Sequence, residues 1–279
     1  MVPNSLRLAV FVATALLVST VTVAVTGAEA GAPSASLPPK NLPVPGEVFL
    51  VAGRTAFLIP AKNATAATEK PKPWVWYAPT LEKYPGKEEQ WMFEQFLAAG
   101  IAIAGIDAGE SYGSPAGGKI FSALHTELTT ARGYSPKPVL LGRSRGGLQL
   151  LSWAAANPTR VAAFAGIYPV CNLASYPGLA KASPAYGLTV EQLAARLTEH
   201  NPVDRLAPLA AASVPLFAVH GDADKVVPLA ANSALLRDRY VALGGTMELI
   251  IPPGQGHNLW DGFFQCSALV SFVKLHARR

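Results

Sequence analysis

Short apolar runs punctuate this chain, and the clearest, Ile101-Ala102-Ile103-Ala104-Gly105-Ile106, shows no polar alternation. A strand that is apolar on both sides must be covered on both sides, which is the situation of a parallel sheet sandwiched by helices. Similar runs stand at Trp74–Tyr77, Pro138–Leu141, Val161–Tyr168, Pro215–Val219 and Met247–Ile251. Between them lie stretches with helical character: Glu88 to Ala99 closed by Gly100, Lys119 to Arg132, the segment running to about Ala155, and Leu229 to Leu243. A last helix is expected over Gly262 to His276. This alternation predicts a mostly parallel, doubly wound α/β sheet with its ligands at the carboxyl ends of the strands. Glu47–Val51 and Thr55–Ile59, joined at Ala52-Gly53, predict an opening antiparallel hairpin.

Half of the chain is hydrophobic and only 15% is charged, so a large core is expected rather than disorder. The net charge of +5 is scattered, with clusters only at Lys70-Pro71-Lys72 and Arg278-Arg279 and no aromatic interleaving. That pattern argues against nucleic acid as a partner. Arg7 followed by an apolar stretch from Leu8 to about Thr26, with Ala28-Glu29-Ala30 behind it, predicts a signal peptide over residues 1–30; an uncleaved anchor is the rival reading. Both put the domain outside the cytoplasm, secreted or periplasmic, and cleavage leaves no stable membrane partner. Residues 31–45, rich in Pro, Ala and Ser, are expected to be a linker, and the domain to run from 46 to 279. Asn63-Ala64-Thr65 is a glycosylation sequon.

About 171–213 interrupts the rhythm, with no clear strand and one helix near Thr189 to Thr198. Such an insertion at the strand ends predicts a lid or pocket wall. Cys171 and Cys266 are expected near one rim of the sheet, where both a disulfide and two buried thiols are open readings. No Cys or His pair stands at metal-ligand spacing, so neither metal nor cofactor is expected.

The chemistry is carried by Gly142-Arg143-Ser144-Arg145-Gly146, directly after an apolar strand and before a helix. A serine on so tight a turn is thrust out of the sheet edge, and glycines flank it because a Cβ there would clash. Its hydroxyl needs a base, and the base needs a carboxylate to fix its tautomer. His220-Gly221-Asp222-Ala223-Asp224-Lys225-Val226-Val227-Pro228 supplies the acid after a strand. Asp224 is expected to serve, and Asp222 to hold the turn. His257, in Gly254-Gln255-Gly256-His257, follows the last strand and is the expected base. The oxyanion hole would use the Arg145 N–H and a second N–H from the loop after Trp74–Tyr77. Pro79 has none, so Ala78 is expected, with Thr80 as the alternative.

From about Trp74 onward the chain resembles the α/β-hydrolases of the prolyl-oligopeptidase and dienelactone-hydrolase-like group. The resemblance rests on Gly142–Gly147, on Asn201-Pro202 ahead of His220–Asp224, and on Gly256-His257. It implies an α/β-hydrolase fold whose catalytic Ser144, Asp224 and His257 form an acyl-enzyme. It also implies a structural role for Asp107 in Ile106–Glu110. Compact exported members of the group act as esterases, so the expected partner is a small-molecule or polymer-derived ester, such as a carbohydrate-linked one; a serine peptidase and a non-catalytic binding protein are the rivals. The group's His-Gly-Gly after strand three is replaced by Tyr77-Ala78-Pro79. Arg145 resembles the arginine that follows the serine in glucuronoyl esterases, where it assists the oxyanion. Arg143 and Trp260 are expected to bind substrate, a guanidinium suiting a carboxylate and an indole suiting sugar or aryl groups. For both arginines, pairing with local acids such as Asp107 or Glu110 is the competing reading.

Overall fold

The computed structural model describes Met1 and residues 40–61 and 71–278. The proposed signal peptide, most of the linker and the Asn63 sequon lie outside the described residues.

Eight strands form one sheet: β1 Glu47–Val51, β2 Arg54–Ile59, β3 Trp74–Ala78, β4 Ala102–Ile106, β5 Val139–Arg143, β6 Ala163–Ile167, β7 Leu216–Val219 and β8 Met247–Ile250. Their spatial order is β1-β2-β4-β3-β5-β6-β7-β8. β1 pairs antiparallel with β2, β2 antiparallel with β4, and every later pairing is parallel. The expected hairpin and parallel sheet are both present. Strands β3 through β7 are buried along their whole length, which is why they lack polar alternation.

Period-two geometry sends alternate side chains of one strand to opposite faces. Trp74 and Trp76 of β3 go to one face, where α2 (Pro115–Thr126), α3 (Arg145–Ala156) and α8 (Ser233–Ala242) supply Phe121, Leu151, Trp153 and Tyr240. Val75 and Tyr77 go to the other, against Phe93 and Phe96 of α1 (Gln90–Ala98) and Val273 of α10 (Ser267–His276). Cys171 packs into the first face and Cys266 against the second, and both are free thiols. The sheet separates the two sulfurs, so the disulfide reading fails.

Several boundaries shift, among them the start of the helix expected from Leu229, which begins at Ser233. The second interior helix begins at Pro115, not Lys119, because Ser114 caps it by accepting from the Gly117 N–H and proline is tolerated in a first turn. The last helix is two pieces, α9 (Asp261–Phe264) and α10, broken at Gln265-Cys266. The linker also ends earlier than position 45. Lys40 Nζ donates to the Leu81 and Tyr84 carbonyls at 2.7 Å each, and Val44 is buried in the core. Burial lowers the Lys40 pKa to about 8, with Asp107 and Glu82 acting in the opposite sense.

The inserted segment holds four short helices: α4 Leu179–Tyr186, α5 Val190–Ala195, α6 Leu197–His200 and α7 Ala207–Ala211. It packs Leu173, Ala182 and Leu193 onto Tyr112 and Leu148, forming a satellite core beside α3.

Candidate active site

Ser144 links β5 to α3 with φ 49° and ψ −123°, a conformation L-residues rarely hold. Its backbone is fastened on both sides: the N–H donates to Ile167 O at 3.0 Å, and the carbonyl accepts from Gly147 N at 2.9 Å and Val170 N at 2.8 Å. The following glycine is obligatory, because a Cβ on Gly146 would lie 2.0 Å from the Ala78 carbonyl oxygen.

Ser144 Oγ lies 2.9 Å from His257 Nε2, and His257 Nδ1 lies 2.7 Å from Asp224 Oδ2. A carboxylate only accepts, so Nδ1 carries the imidazole proton and Nε2 is left to accept from the serine hydroxyl. The other Asp224 oxygen accepts from the Val226 and Val227 N–H groups at 2.9 and 2.8 Å. Burial opposes its ionisation. Hydrogen bonds from His220, the Val227 N–H and His257 outweigh that and lower its pKa to about 2. Burial also lowers the His257 pKa from its ordinary value, against the raising effect of Asp224. The neutral base is therefore the resting form near neutrality.

His220, one residue past β7, is fully buried. Its Nε2 faces two acceptors, the Val227 carbonyl at 2.8 Å and Asp224 Oδ2 at 3.3 Å, while Nδ1 meets Ser233 Oγ at 2.8 Å. The proton belongs on Nε2, and His220 thus braces the loop that presents Asp224. Asp222 accepts from the Gly254 N–H at 2.7 Å, tying that loop to the one that carries His257. Asp107 accepts from the Gly109 N–H at 2.7 Å, a local turn bond.

A cavity of about 310 Å³ opens over Ser144, lined by Pro79, Tyr84, Arg143, Arg145, Tyr168, His257, Asn258 and Leu259. Several expectations change here. Ala78 ends β3 in register with Gly142, fully buried, and does not line the cavity. Thr80 is buried too, its hydroxyl donating to Tyr77 O. Of this loop it is Pro79, between the two expected donors and without an N–H, that lines the cavity. Trp260 stands on the surface at 42% exposure, its ring edge-on to Phe263, and the cavity wall is made by Asn258 and Leu259 instead. No residue of 171–213 lines the cavity, so the insertion is not the wall of this site.

The two arginines part company. Arg143 is buried: Nη1 donates to Glu89 Oε1 at 2.6 Å and Nε to the Tyr168 hydroxyl at 3.2 Å, and its carbon lies over the Tyr84 and Phe264 rings. Glu89 is fully buried and also accepts from the Tyr77 hydroxyl at 2.7 Å and the Gly86 N–H at 2.8 Å. Burial works against the charge on Arg143, but the oxygens of Tyr77, Glu89 and Tyr168 keep it firmly protonated. Tyr168, whose pKa burial raises to about 12, passes this brace on to the base, its ring centroid 4.4 Å from that of His257. Arg143 is thus held by the protein, not left free for a substrate carboxylate. Arg145 is half-exposed and pairs with Glu110. Its backbone opens α3, where a helix leaves N–H groups without internal acceptors.

Tyr84, Glu89 and Tyr168 escaped the sequence reading. Each stands in an ordinary loop, helix-edge or strand-end context and carries no local signal.

A strand-elbow-helix that presents a serine to a histidine and an aspartate, in this sheet order, defines an α/β-hydrolase. The chain belongs to the prolyl oligopeptidase family, which it matches over residues 127–271, just over half its length. No curated protein matches it by sequence. Among solved structures it resembles Porphyromonas gingivalis dipeptidyl peptidase 4, with TM-score 0.65, 16% identity, and coverage of 83% of this chain and 35% of that one. It also resembles Est1E from Butyrivibrio proteoclasticus, with TM-score 0.60, 16% identity, and coverage of 84% and 99%. A third is Mycobacterium tuberculosis MPT51 (FbpC1), with TM-score 0.64, 14% identity, and coverage of 84% and 100%. The chain spans about a third of the length of the dipeptidyl peptidase, and at these identities the likeness establishes the fold.

Proposed function

We propose that this hydrolase is a serine esterase working through an acyl-enzyme. The observation that carries the reading is the unbroken relay from Ser144 Oγ through His257 to Asp224, at 2.9 and 2.7 Å. Ser144 Oγ attacks the ester carbonyl carbon while His257 Nε2 takes its proton. The imidazolium, held by Asp224, then protonates the departing alkoxide oxygen, leaving the acyl group on Ser144. Water attacks the acyl carbon, His257 takes its proton, and that proton returns to Ser144 Oγ as the acid leaves. The Arg145 N–H is one oxyanion donor. The second is the Tyr84 hydroxyl, which lines the same cavity and has no hydrogen-bond partner among the described residues.

The family match favours a second reading, a serine peptidase. The cavity wall supports the ester: among the described residues it is lined by two arginines and no carboxylate, so it offers no counter-charge to the ammonium of a free peptide amino terminus. A leader read from the sequence of residues 1–30 would place the protein outside the cytoplasm, where esters of polymer-derived alcohols are the substrates within reach.

The test has two arms. A fluorophosphonate should label the wild type and not Ser144→Ala; a folded wild type that stays unlabelled ends the catalytic reading. p-Nitrophenyl acetate should turn over faster than amino-acyl anilides. Turnover of the anilides alone would make the protein a peptidase.

A further inference from the structure

A second cavity, apart from the one over Ser144, exceeds it in volume. It measures about 480 Å³ and lies among α2, the second half of α3 and the end of α6. It shares no lining residue with the site of Ser144. Ser152 and Asn157 stand eight and thirteen residues beyond Ser144 on and just past α3, roughly 12–20 Å away at the rise of an α-helix. We propose that this cavity is a binding site for a small hydroxylated carboxylate, separate from the ester cleaved at Ser144.

Three features of the wall point to that ligand. The first is charge. Lys119 and Arg205 both line the cavity, and neither makes an ion pair or side-chain hydrogen bond among the described residues. The acid in the wall, Glu199, is already engaged by Arg196 at 2.6 Å. The cavity therefore carries uncompensated positive charge, and a guanidinium matches a carboxylate with two parallel hydrogen bonds.

The second is hydrogen bonding. Ser152 Oγ and His200 Nε2 are enclosed without a hydrogen-bond partner among the described residues, and both residues belong to this wall. Buried polar groups are ordinarily satisfied, so two orphans at one cavity call for a polar occupant. Burial, reinforced by Arg196 and Arg205, lowers the His200 pKa, so its ring is neutral. A ligand hydroxyl both donates and accepts and can satisfy either atom once its side chain turns toward the cavity. The third feature is size: the volume is that of a site for a ligand of sugar dimensions. The inserted segment, expected from sequence to be a lid or pocket wall, supplies His200 and Arg205 to this wall.

The probes are D-gluconate and sorbitol, which share a carbon skeleton and differ in the carboxylate, together with inorganic phosphate. Binding to the full chain is followed by calorimetry and by the NMR shift of the His200 ring. No turnover is involved, so failure here leaves the esterase reading standing, and the reverse. Gluconate should saturate the protein and shift His200, with sorbitol at least about tenfold weaker. Lys119→Glu, on the exposed side of α2, should weaken gluconate by at least about tenfold while Tm and Ser144 labelling stay unchanged. The proposal is overturned if gluconate does not saturate by about 10 mM, if sorbitol binds equally well, or if Lys119→Glu leaves affinity unaltered. Phosphate binding more tightly than gluconate would also overturn it, because the carboxylate assignment would then be wrong.

Discussion

Glu89→Gln is the substitution that best tests how the floor of the site is built. The Arg143–Glu89 pair is 2.6 Å long, with the two side chains 7% and 0% exposed. Glutamine preserves volume and keeps one oxygen for the Tyr77 hydroxyl. Its amide nitrogen, however, replaces the oxygen that accepts the Gly86 N–H, setting donor against donor. It also leaves the Arg143 guanidinium buried without a counter-charge. Breaking a buried pair from one side costs about 3–5 kcal/mol, most of it the penalty on the abandoned charge. For a domain somewhat above 200 residues that corresponds to a Tm lower by roughly 6–20 °C. Urea unfolding of Glu89→Gln, Arg143→Met and the double variant closes the cycle. The double variant should be less destabilised than the two single losses added together, since it no longer buries a lone charge. A loss below about 1 kcal/mol for Glu89→Gln, or single effects that add within about 0.5 kcal/mol, would refute the reasoning.

Gly146→Ala drives a methyl into the backbone of Ala78 and Pro79, which cannot yield as a side chain end could. It should destabilise by at least about 2 kcal/mol, whereas Gly118→Ala, in α2 with open space around its Cβ, should stabilise by about 0.5–1 kcal/mol in the same melts. Tyr84→Phe should lower kcat on p-nitrophenyl acetate about 10²–10³-fold with little change in KM, as loss of an oxyanion donor does. The active form holds His257 neutral, so kcat/KM should fall as pH drops and His257 takes up its proton. Because burial lowers that pKa, the acid limb should lie below about 6.5. Asp224→Asn removes the group that raises it and should move the limb further down while cutting kcat, read from the pH–rate profile.

The legible part of this protein was whatever repeats at short range. Strands buried on both faces must be apolar throughout, so Ile101–Ile106 and Val139–Leu141 identify themselves. A serine presented by an elbow needs its glycines, so Gly142 and Gly146 announce Ser144. Ser144, Asp224 and His257 each follow a strand of the parallel run, so all three emerge at the same sheet edge. The helix start at Pro115 is also written locally, in the Ser114 cap and its following proline.

What only the tertiary structure decided is the choice of partners. Glu89 meets Arg143 across 54 residues of chain, and nothing in the periodicity of either segment selects that pairing over Asp107 or Glu110. Tyr84 and Leu259 line the cavity, and Trp260 does not, because loops aim side chains by packing rather than by repeat. Cys171 and Cys266 fall on opposite faces of the sheet, a matter of how each connection returns to it. The 171–213 insertion packs beside α3 instead of over Ser144 because its apolar residues, Leu173, Ala182 and Leu193, find Tyr112 and Leu148 there. Sequence by itself determines which residues must be buried and which backbone must turn. The fold decides which buried charge faces which, because that depends on distances the chain has only once it has closed on itself.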